Sequence, residues 1–187
     1  CNNVMMGPYQ KTGLNVYDIR EQCGESSDGL CYPQLEYVSD YLNQEFVREA
    51  LGVRDEVEKF DSCNFDVNGG FLFNGDWMLP YYTHVADLLE KGIPILDYAG
   101  LADFICNALG TNAFAEQLEW SGHESFAKAP VEPWHLSDGT KAGRKRNFKH
   151  FTSLQIYEAG HMAPFDQPKA LHEMVNEWIK GNYALKH

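Results

Sequence analysis

Two short segments carry side chains suited to moving protons. Tyr98-Ala99-Gly100-Leu101-Ala102-Asp103-Phe104-Ile105-Cys106-Asn107 sets an acid in a turn, and Glu158-Ala159-Gly160-His161-Met162-Ala163-Pro164-Phe165 sets a histidine in a loop that starts on glycine. Each follows an apolar run that reads as a strand and precedes a helical stripe. An imidazole can take the proton of a hydroxyl nucleophile, while a carboxylate at its other nitrogen fixes the tautomer and stabilises the imidazolium that forms. A histidine alone in such a loop is weak evidence for catalysis. An acid and a histidine after successive strands, in that order, are stronger, because they match the tail of the order nucleophile, acid, histidine.

The nucleophile of that series should lie upstream, and no stretch of the chain spells the G-x-S-x-G elbow that would present it. Gly24-Glu25-Ser26-Ser27-Asp28-Gly29 lacks the glycine spacing and reads as a surface turn. The chain alone therefore cannot hold a serine triad. Metal chemistry is the rival reading of its cysteines and histidines. Cys1, Cys23, Cys31, Cys63 and Cys106 contain no C-x-x-C, and no histidines are paired at helical spacing, so neither a metal nor a cofactor is expected. Five is an odd number, so at least one cysteine is free or pairs outside the chain; Cys23 and Cys31, bracketing a Gly- and Asp-rich segment, are expected to pair.

The elements that must position Asp103 and His161 follow from punctuation and periodicity. Residues 1–36 read as a loop and disulfide region, and 37–187 as strand and helix units with an excursion near 119–150. Ser39 is expected to cap a helix to about Leu51, stopped by Gly52; Leu79–Lys91 reads as a second helix, with Tyr82, Val85, Leu88 and Leu89 inward and Gly92 as its stop. Ile93–Gly100 suits a buried parallel strand, in which Asp97 should sit at a sheet end or against a polar group. Phe104 to about Gln117 reads as a helix and Phe151–Ala159 as a strand. A last helix has Asp166 as cap, Pro168 in its first turn and Leu171, Met174, Val175, Trp178 and Ile179 as its stripe. Val131–Lys149, with Asp138-Gly139 and a basic run, reads as an exposed hairpin whose charges form a solvated face.

With 187 residues and 44% hydrophobic positions, the chain can bury a core. Its net charge of −12 opposes nucleic acid or anionic membrane as partners. No apolar run reaches the roughly 18 residues of a membrane span. A soluble chain that begins at a processing cut is the expectation from Cys1-Asn2-Asn3-Val4, which has no signal-peptide pattern.

A set of separate motifs, Asn15-Val16-Tyr17-Asp18-Ile19-Arg20, Tyr41-Leu42-Asn43-Gln44, Ser62-Cys63-Asn64-Phe65-Asp66, Gly75-Asp76-Trp77-Met78, Asp103-Phe104-Ile105-Cys106-Asn107 and Gly160-His161-Met162-Ala163-Pro164-Phe165-Asp166, resembles the C-terminal half of the yeast-type serine carboxypeptidases. The likeness runs from Cys1 to about Gly181 and is weakest over Thr111–Lys149. It implies the C-terminal part of an α/β-hydrolase fold, a mixed sheet flanked by helices, completed by an N-terminal half absent from this chain. The implied activity is release of single residues from peptide C termini at acid pH. Asp103 and His161 match the family's triad acid and base, and the serine and oxyanion hole fall in the absent half. Trp77, Ile105 and Cys106 match positions lining the pocket for the residue before the cut, with Cys106 a free thiol; Tyr17, Tyr32, Leu35 and Met162 match positions around the leaving residue. Cys1 and Cys63 would pair with the N-terminal chain, in an oxidising vacuolar, lysosomal or secretory compartment.

The sequence departs from the family pattern where Leu101 stands for a usual Asp, Ala108 for a usual Trp and Asp97 for an apolar residue. Those departures leave room for other readings: a relative that uses the triad for acyl transfer or cyanohydrin cleavage, or an inactive homologue serving as a binding or inhibitory module.

Overall fold

The computed structural model describes residues 2–24 and 30–186. A π-helical turn at Asn2–Met6 leads to α1 (Gly7–Gln10) and a two-stranded sheet of β1 (Leu14–Asn15) and β2 (Asp18–Gln22). Then come α2 (Gln34–Leu42), α3 (Glu45–Ala50), α4 (Phe65–Phe73) and a 3-10 turn at Asp76–Met78. After α5 (Tyr82–Glu90) follow β3 (Ile95–Gly100), α6 (Ala108–Gln117), α7 (His123–Lys128), β4 (Glu132–His135), β5 (Lys141–Phe148) and β6 (Phe151–Ile156). Short α8 (Ala163–Asp166) and α9 (Pro168–Ile179) complete the order. The chain divides into two units, one of Cys1–Glu21 with Pro80–His187 and one of Gln22–Leu79.

The first unit is built on a four-stranded mixed sheet in the order β3-β6-β5-β4. β3 runs parallel to β6, and β6 and β4 are antiparallel to β5. All six residues of β6 are buried, since helices cover both faces of the sheet at that strand. Leu154 and Ile156 pack with Trp134, Leu136 and Ala142 of the hairpin and with Leu171 and Met174 of α9. On the opposite face Phe151 packs with Leu89, Ala115, Leu118, Trp120 and Phe126, its ring stacked 4.4 Å from that of Phe126.

The segment Val131–Lys149 forms the expected hairpin around Asp138-Gly139, but it is no exposed excursion. Trp134 and Leu136 enter the core, and β5 is an interior strand of the sheet. Its basic run is likewise not one solvated face: alternation turns Lys145 inward to 5% exposure, where its Nζ donates to the carbonyls of Ala184 and Leu185 (2.7 Å to the latter). Burial pushes this amine below its ordinary range.

Other expectations are corrected by local hydrogen bonding. The stripe from Ser39 to Leu51 gives two helices, broken at Asn43-Gln44, because the Asn43 side chain bonds Ser39 O (2.8 Å) and both backbone groups of Phe60 (2.8 Å each). Ser39 lies inside α2 and caps nothing, whereas Gly52, at φ 69°, does end α3. Tyr82 and Leu88 of α5, and Val175 and Ile179 of α9, face outward, since the sheet covers a narrower stripe than the sequence offers. In the second unit, Asn64 caps α4 through the N–H groups of Asp66 and Val67, and Phe65, Phe71, Leu72 and Phe73 of that helix are exposed. Cys23 and Cys31 are disulfide-bonded as expected, with Cα atoms 4.7 Å apart. The turn at Ser26-Ser27 lies outside the described residues.

Asp97 lies in the middle of β3 rather than at its end, and its polar partner is weak: Ser153 Oγ donates to it over 3.4 Å. Burial, partly offset by that bond, pushes its carboxyl up to about 6. The folded state thus binds a proton that the unfolded chain releases near pH 4. The contribution of Asp97 to stability is full below that pH, is lost as pH rises to about 6, and is then constant. Asp97→Asn is expected to stabilise the protein by roughly 1–3 kcal/mol at pH 7–8 and to change nothing below pH 4, as read by urea unfolding across pH.

Candidate active site

Parallel pairing of β3 with β6 in the register Gly100↔Ile156 sends both following loops out at one sheet edge. There they are zipped together: Leu101 N–H donates to Ile156 O (3.0 Å) and Ala102 N–H to Ala159 O (2.8 Å). The approach is so close that a Cβ on Gly100 would collide with the carbonyl oxygens of Ala159 and Gly160. A Cβ on Gly160 would strike Tyr17 O and crowd Asp18. Both positions need glycine for room rather than for backbone freedom.

Val16–Ile19, the turn between β1 and β2 together with the start of β2, supplies the third wall. Val16 O accepts from Phe104 N–H (3.2 Å) and Ile105 N–H (3.1 Å), Ile19 N–H donates to Ala102 O (2.9 Å), and His161 N–H donates to Tyr17 O (2.8 Å). The segment is set by buried Asn15, whose Oδ1 accepts from Tyr17 N–H (2.9 Å), and by Tyr9, stacked 3.8 Å from the Phe104 ring.

Inside this frame Asp103 is 6% exposed and its carboxylate is fully engaged. Oδ1 accepts from Ile105 N–H (3.0 Å) and Cys106 N–H (3.1 Å), and Oδ2 lies 2.8 Å from Nδ1 of His161. Those bonds offset the cost of burying the charge and hold the carboxylate still. With Asp103 ionised, Nδ1 carries the shared proton and Nε2 presents its lone pair. The imidazole is 38% exposed, and no hydrogen bond from a described residue reaches Nε2. His123 and His150 are placed differently: each ring nitrogen Nε2 meets a carbonyl, of Glu116 and of Leu89, at 2.9 Å. Those two imidazoles serve the fold, and His161 alone among the three is both oriented and open.

Of the other residues singled out in the sequence, Tyr17, Ile105, Cys106 and Met162 gather around this pair. The Tyr17 ring lies 5.2 Å from that of His161, and Ile105, Cys106 and Met162 flank the two polar groups with exposed side chains. Burial first, and the Asp103 charge second, push the Cys106 thiol up. Ligand atoms of Asp103, Cys106 and His161 lie within 4.8 Å of one another, but three donors already occupy the carboxylate, which favours an oriented acid and base over a cation cage. Leu101 sits in the turn, and Ala108 is buried at the start of α6, where its carbonyl accepts from Gln155 Nε2 (3.3 Å). Tyr32, Leu35 and Trp77 belong to the second unit: Tyr32 and Leu35 at the start of α2, and Trp77, 65% exposed, on the 3-10 turn. Cys63 is one of the free cysteines among the described residues; Cys1 lies outside them.

Asp166 is a correction. Gln167, not Asp166, occupies the N-cap of α9, and the Asp166 carboxylate instead accepts the Gly160 N–H at 2.6 Å. The sequence reading missed this bond and the Asp18–Arg20 pair beside it. The signal available was two opposite charges two residues apart, on one face of a strand.

The model of the serine carboxypeptidase family matches residues 1–181. Carboxypeptidase Y of Komagataella phaffii is 55% identical over 185 residues, 99% of this chain and 34% of that protein. Carboxypeptidase Y of Saccharomyces cerevisiae is 51% identical over 186 residues, again 99% and 34%. The chain thus spans about a third of the length of these relatives. Among solved structures, Kex1(delta)p, a prohormone-processing carboxypeptidase from Saccharomyces cerevisiae, matches with a TM-score of 0.73 and 24% identity, covering 89% of this chain and 36% of that one. That likeness places the sheet and its helices in the α/β-hydrolase fold. By sequence, the chain belongs to the serine carboxypeptidase family.

Proposed function

We propose that this chain supplies the acid and base of a serine carboxypeptidase, releasing single residues from peptide C termini, with the nucleophile on an N-terminal half outside the chain. The observation that carries the proposal is the 2.8 Å bond from His161 Nδ1 to a buried Asp103, with the Nε2 edge of the ring left open. His161 takes the serine proton as the hydroxyl attacks the scissile carbonyl, then returns it to the leaving amine; a water activated the same way releases the acyl group. Asp103 holds the tautomer and stabilises the imidazolium in both steps. Ile105 and Cys106, with Trp77, serve the residue before the cut, and Tyr17, Tyr32, Leu35 and Met162 serve the leaving residue.

The remainder of the reading concerns the partner half, joined through Cys1 and Cys63. β3 ends the described sheet with one edge unpaired, and α4 carries exposed phenylalanines, both of which suit coverage by further chain. The Cys23–Cys31 bond fits an oxidising compartment, vacuolar, lysosomal or secretory. No helix among the described residues is long and apolar enough to cross a membrane.

In the full-length protein, His161→Ala is expected to lower kcat by several powers of ten and Asp103→Asn by somewhat less, measured as release of the terminal residue from a blocked dipeptide. Turnover unchanged in His161→Ala, or untouched by phenylmethylsulfonyl fluoride, overturns the reading. Intact mass with and without reductant tests the partner: a separated species carrying G-x-S-x-G supports the two-chain form, and no separation removes it. Cys106 is expected to react sluggishly with iodoacetamide at pH 7 and faster as pH rises, with a substrate analogue protecting it; full reaction at neutral pH would contradict its raised thiol, and a rate unchanged by the analogue would contradict its place in the pocket.

A further inference from the structure

One guanidinium joins the three segments that fix the His161 loop. Arg20 grips Asp18 with two bonds, Nε to Oδ1 at 2.8 Å and Nη2 to Oδ2 at 2.5 Å. Its Nη2 also reaches Asp166 Oδ2 at 3.3 Å, and its Nη1 reaches Glu158 Oε2 at 3.4 Å. Glu158 stands three residues before His161 and Asp166 five residues after it. The same Asp166 oxygen accepts the N–H of Gly160, and the N–H of His161 itself goes to the carbonyl of Tyr17, the neighbour of Asp18. Glu158 takes a left-handed backbone, φ 50°, unusual for a side chain of its kind and held here by surrounding contacts, among them Gln167 Nε2 on its carbonyl at 3.0 Å.

The Asp18 side chain is 4% exposed and that of Asp166 14%, so both carboxylates are largely shielded from solvent, whereas the Arg20 side chain is 36% exposed and its contact to Glu158 lies at the surface. The Arg20 bonds hold the Asp18 carboxyl below the usual carboxylate range, which keeps the pair ionised into mild acid. None of these groups touches the Nε2 edge of His161. Their leverage is geometric: the backbone on either side of the imidazole is tied to one rigid fork, and misplacement of a catalytic group by about 1 Å can cost on the order of 100-fold in rate.

We propose that Arg20, acting through Asp18 and Asp166, is a positioning residue for His161, bracing the Gly160-His161 backbone so that the imidazole meets Asp103 and the nucleophile in register. This rests on the reading of His161 as the catalytic base. The test uses the full-length protein and the variants Arg20→Met, Asp166→Ala and Asp166→Asn, with His161→Ala alongside. The readouts are kcat per titrated active site, KM, and the far-downfield proton resonance of the Nδ1–H bonded to Asp103. Arg20→Met and Asp166→Ala are expected to lower kcat per titrated site about 10- to 100-fold with KM within about twofold, and to shift or broaden that resonance. Asp166→Asn keeps an acceptor for Gly160 N–H and is expected to recover most of the loss. If the variants reduce only the number of titratable sites, leaving kcat per site and the resonance unchanged, Arg20 is structural and the proposal fails. Should Arg20→Met not fold, the Asp166 pair decides by the same criteria. Full turnover in His161→Ala marks failure of the underlying reading instead, and the resonance still reports whether Arg20 orients the ring.

Discussion

The parallel pairing of β3 with β6 is the constraint on which the candidate site depends. Antiparallel neighbours would send their following loops to opposite edges of the sheet, and Asp103 could not meet His161 across 58 positions of sequence. Parallel strands put both loops at one edge but leave them to settle their own spacing. Here the spacing is set by subtraction: Gly100 and Gly160 have no side chains, and backbone lies against backbone where a methyl group would not fit. The Val16–Ile19 segment then closes the gap between the loops with main-chain hydrogen bonds, which fix position without depending on side-chain rotamers.

The sheet treats its buried charges in contrasting ways. Asp103 is met by two backbone N–H groups and an imidazole, and Asp18 by a bidentate guanidinium. Asp97, only a few residues before Asp103 on the same strand and loop, has a single long bond to a hydroxyl, which only partly offsets the burial that raises its carboxyl. Ionised carboxylates inside a fold need several donors arranged in advance, and strand interiors have few to spare because the ladder uses them.

Much of this was legible from residue order. Asp103 and His161 stand out because each sits just past an apolar run and before a helical stripe, a pattern that depends only on local periodicity. The disulfide was legible because the seven residues between Cys23 and Cys31, rich in glycine and small polar side chains, close easily. Whatever depended on neighbours distant in sequence was not. Lys145 looks like part of a solvated basic run until β5 is seen to be an interior strand, and Asn43 looks like mid-helix until Phe60 arrives to take both its hydrogen-bonding groups. Asp166 has the composition and place of a helix cap, yet the donor that claims it lies before the helix rather than in its first turn. Hydrophobic stripes in the sequence are wider than the faces that are buried, for a similar reason: periodicity gives the direction of a buried face, and only packing gives its width.

The buried amine of Lys145 also bears on how this fold yields to proteases. Its partners are the carbonyls of Ala184 and Leu185, Thr152 Oγ1 donates to the carbonyl of Tyr183, and the Leu185 side chain fills the core between the sheet and α9. Lifting that strip would strand a cation in an apolar interior and open a void beneath it, so it has no cheap route to fraying. Segments near the ends of a folded unit commonly open first and admit cleavage. Here residues 183–185 are held by hydrogen bonds from β5 and β6 and by the buried Leu185 side chain, so opening this seam for cleavage disrupts the core beneath it.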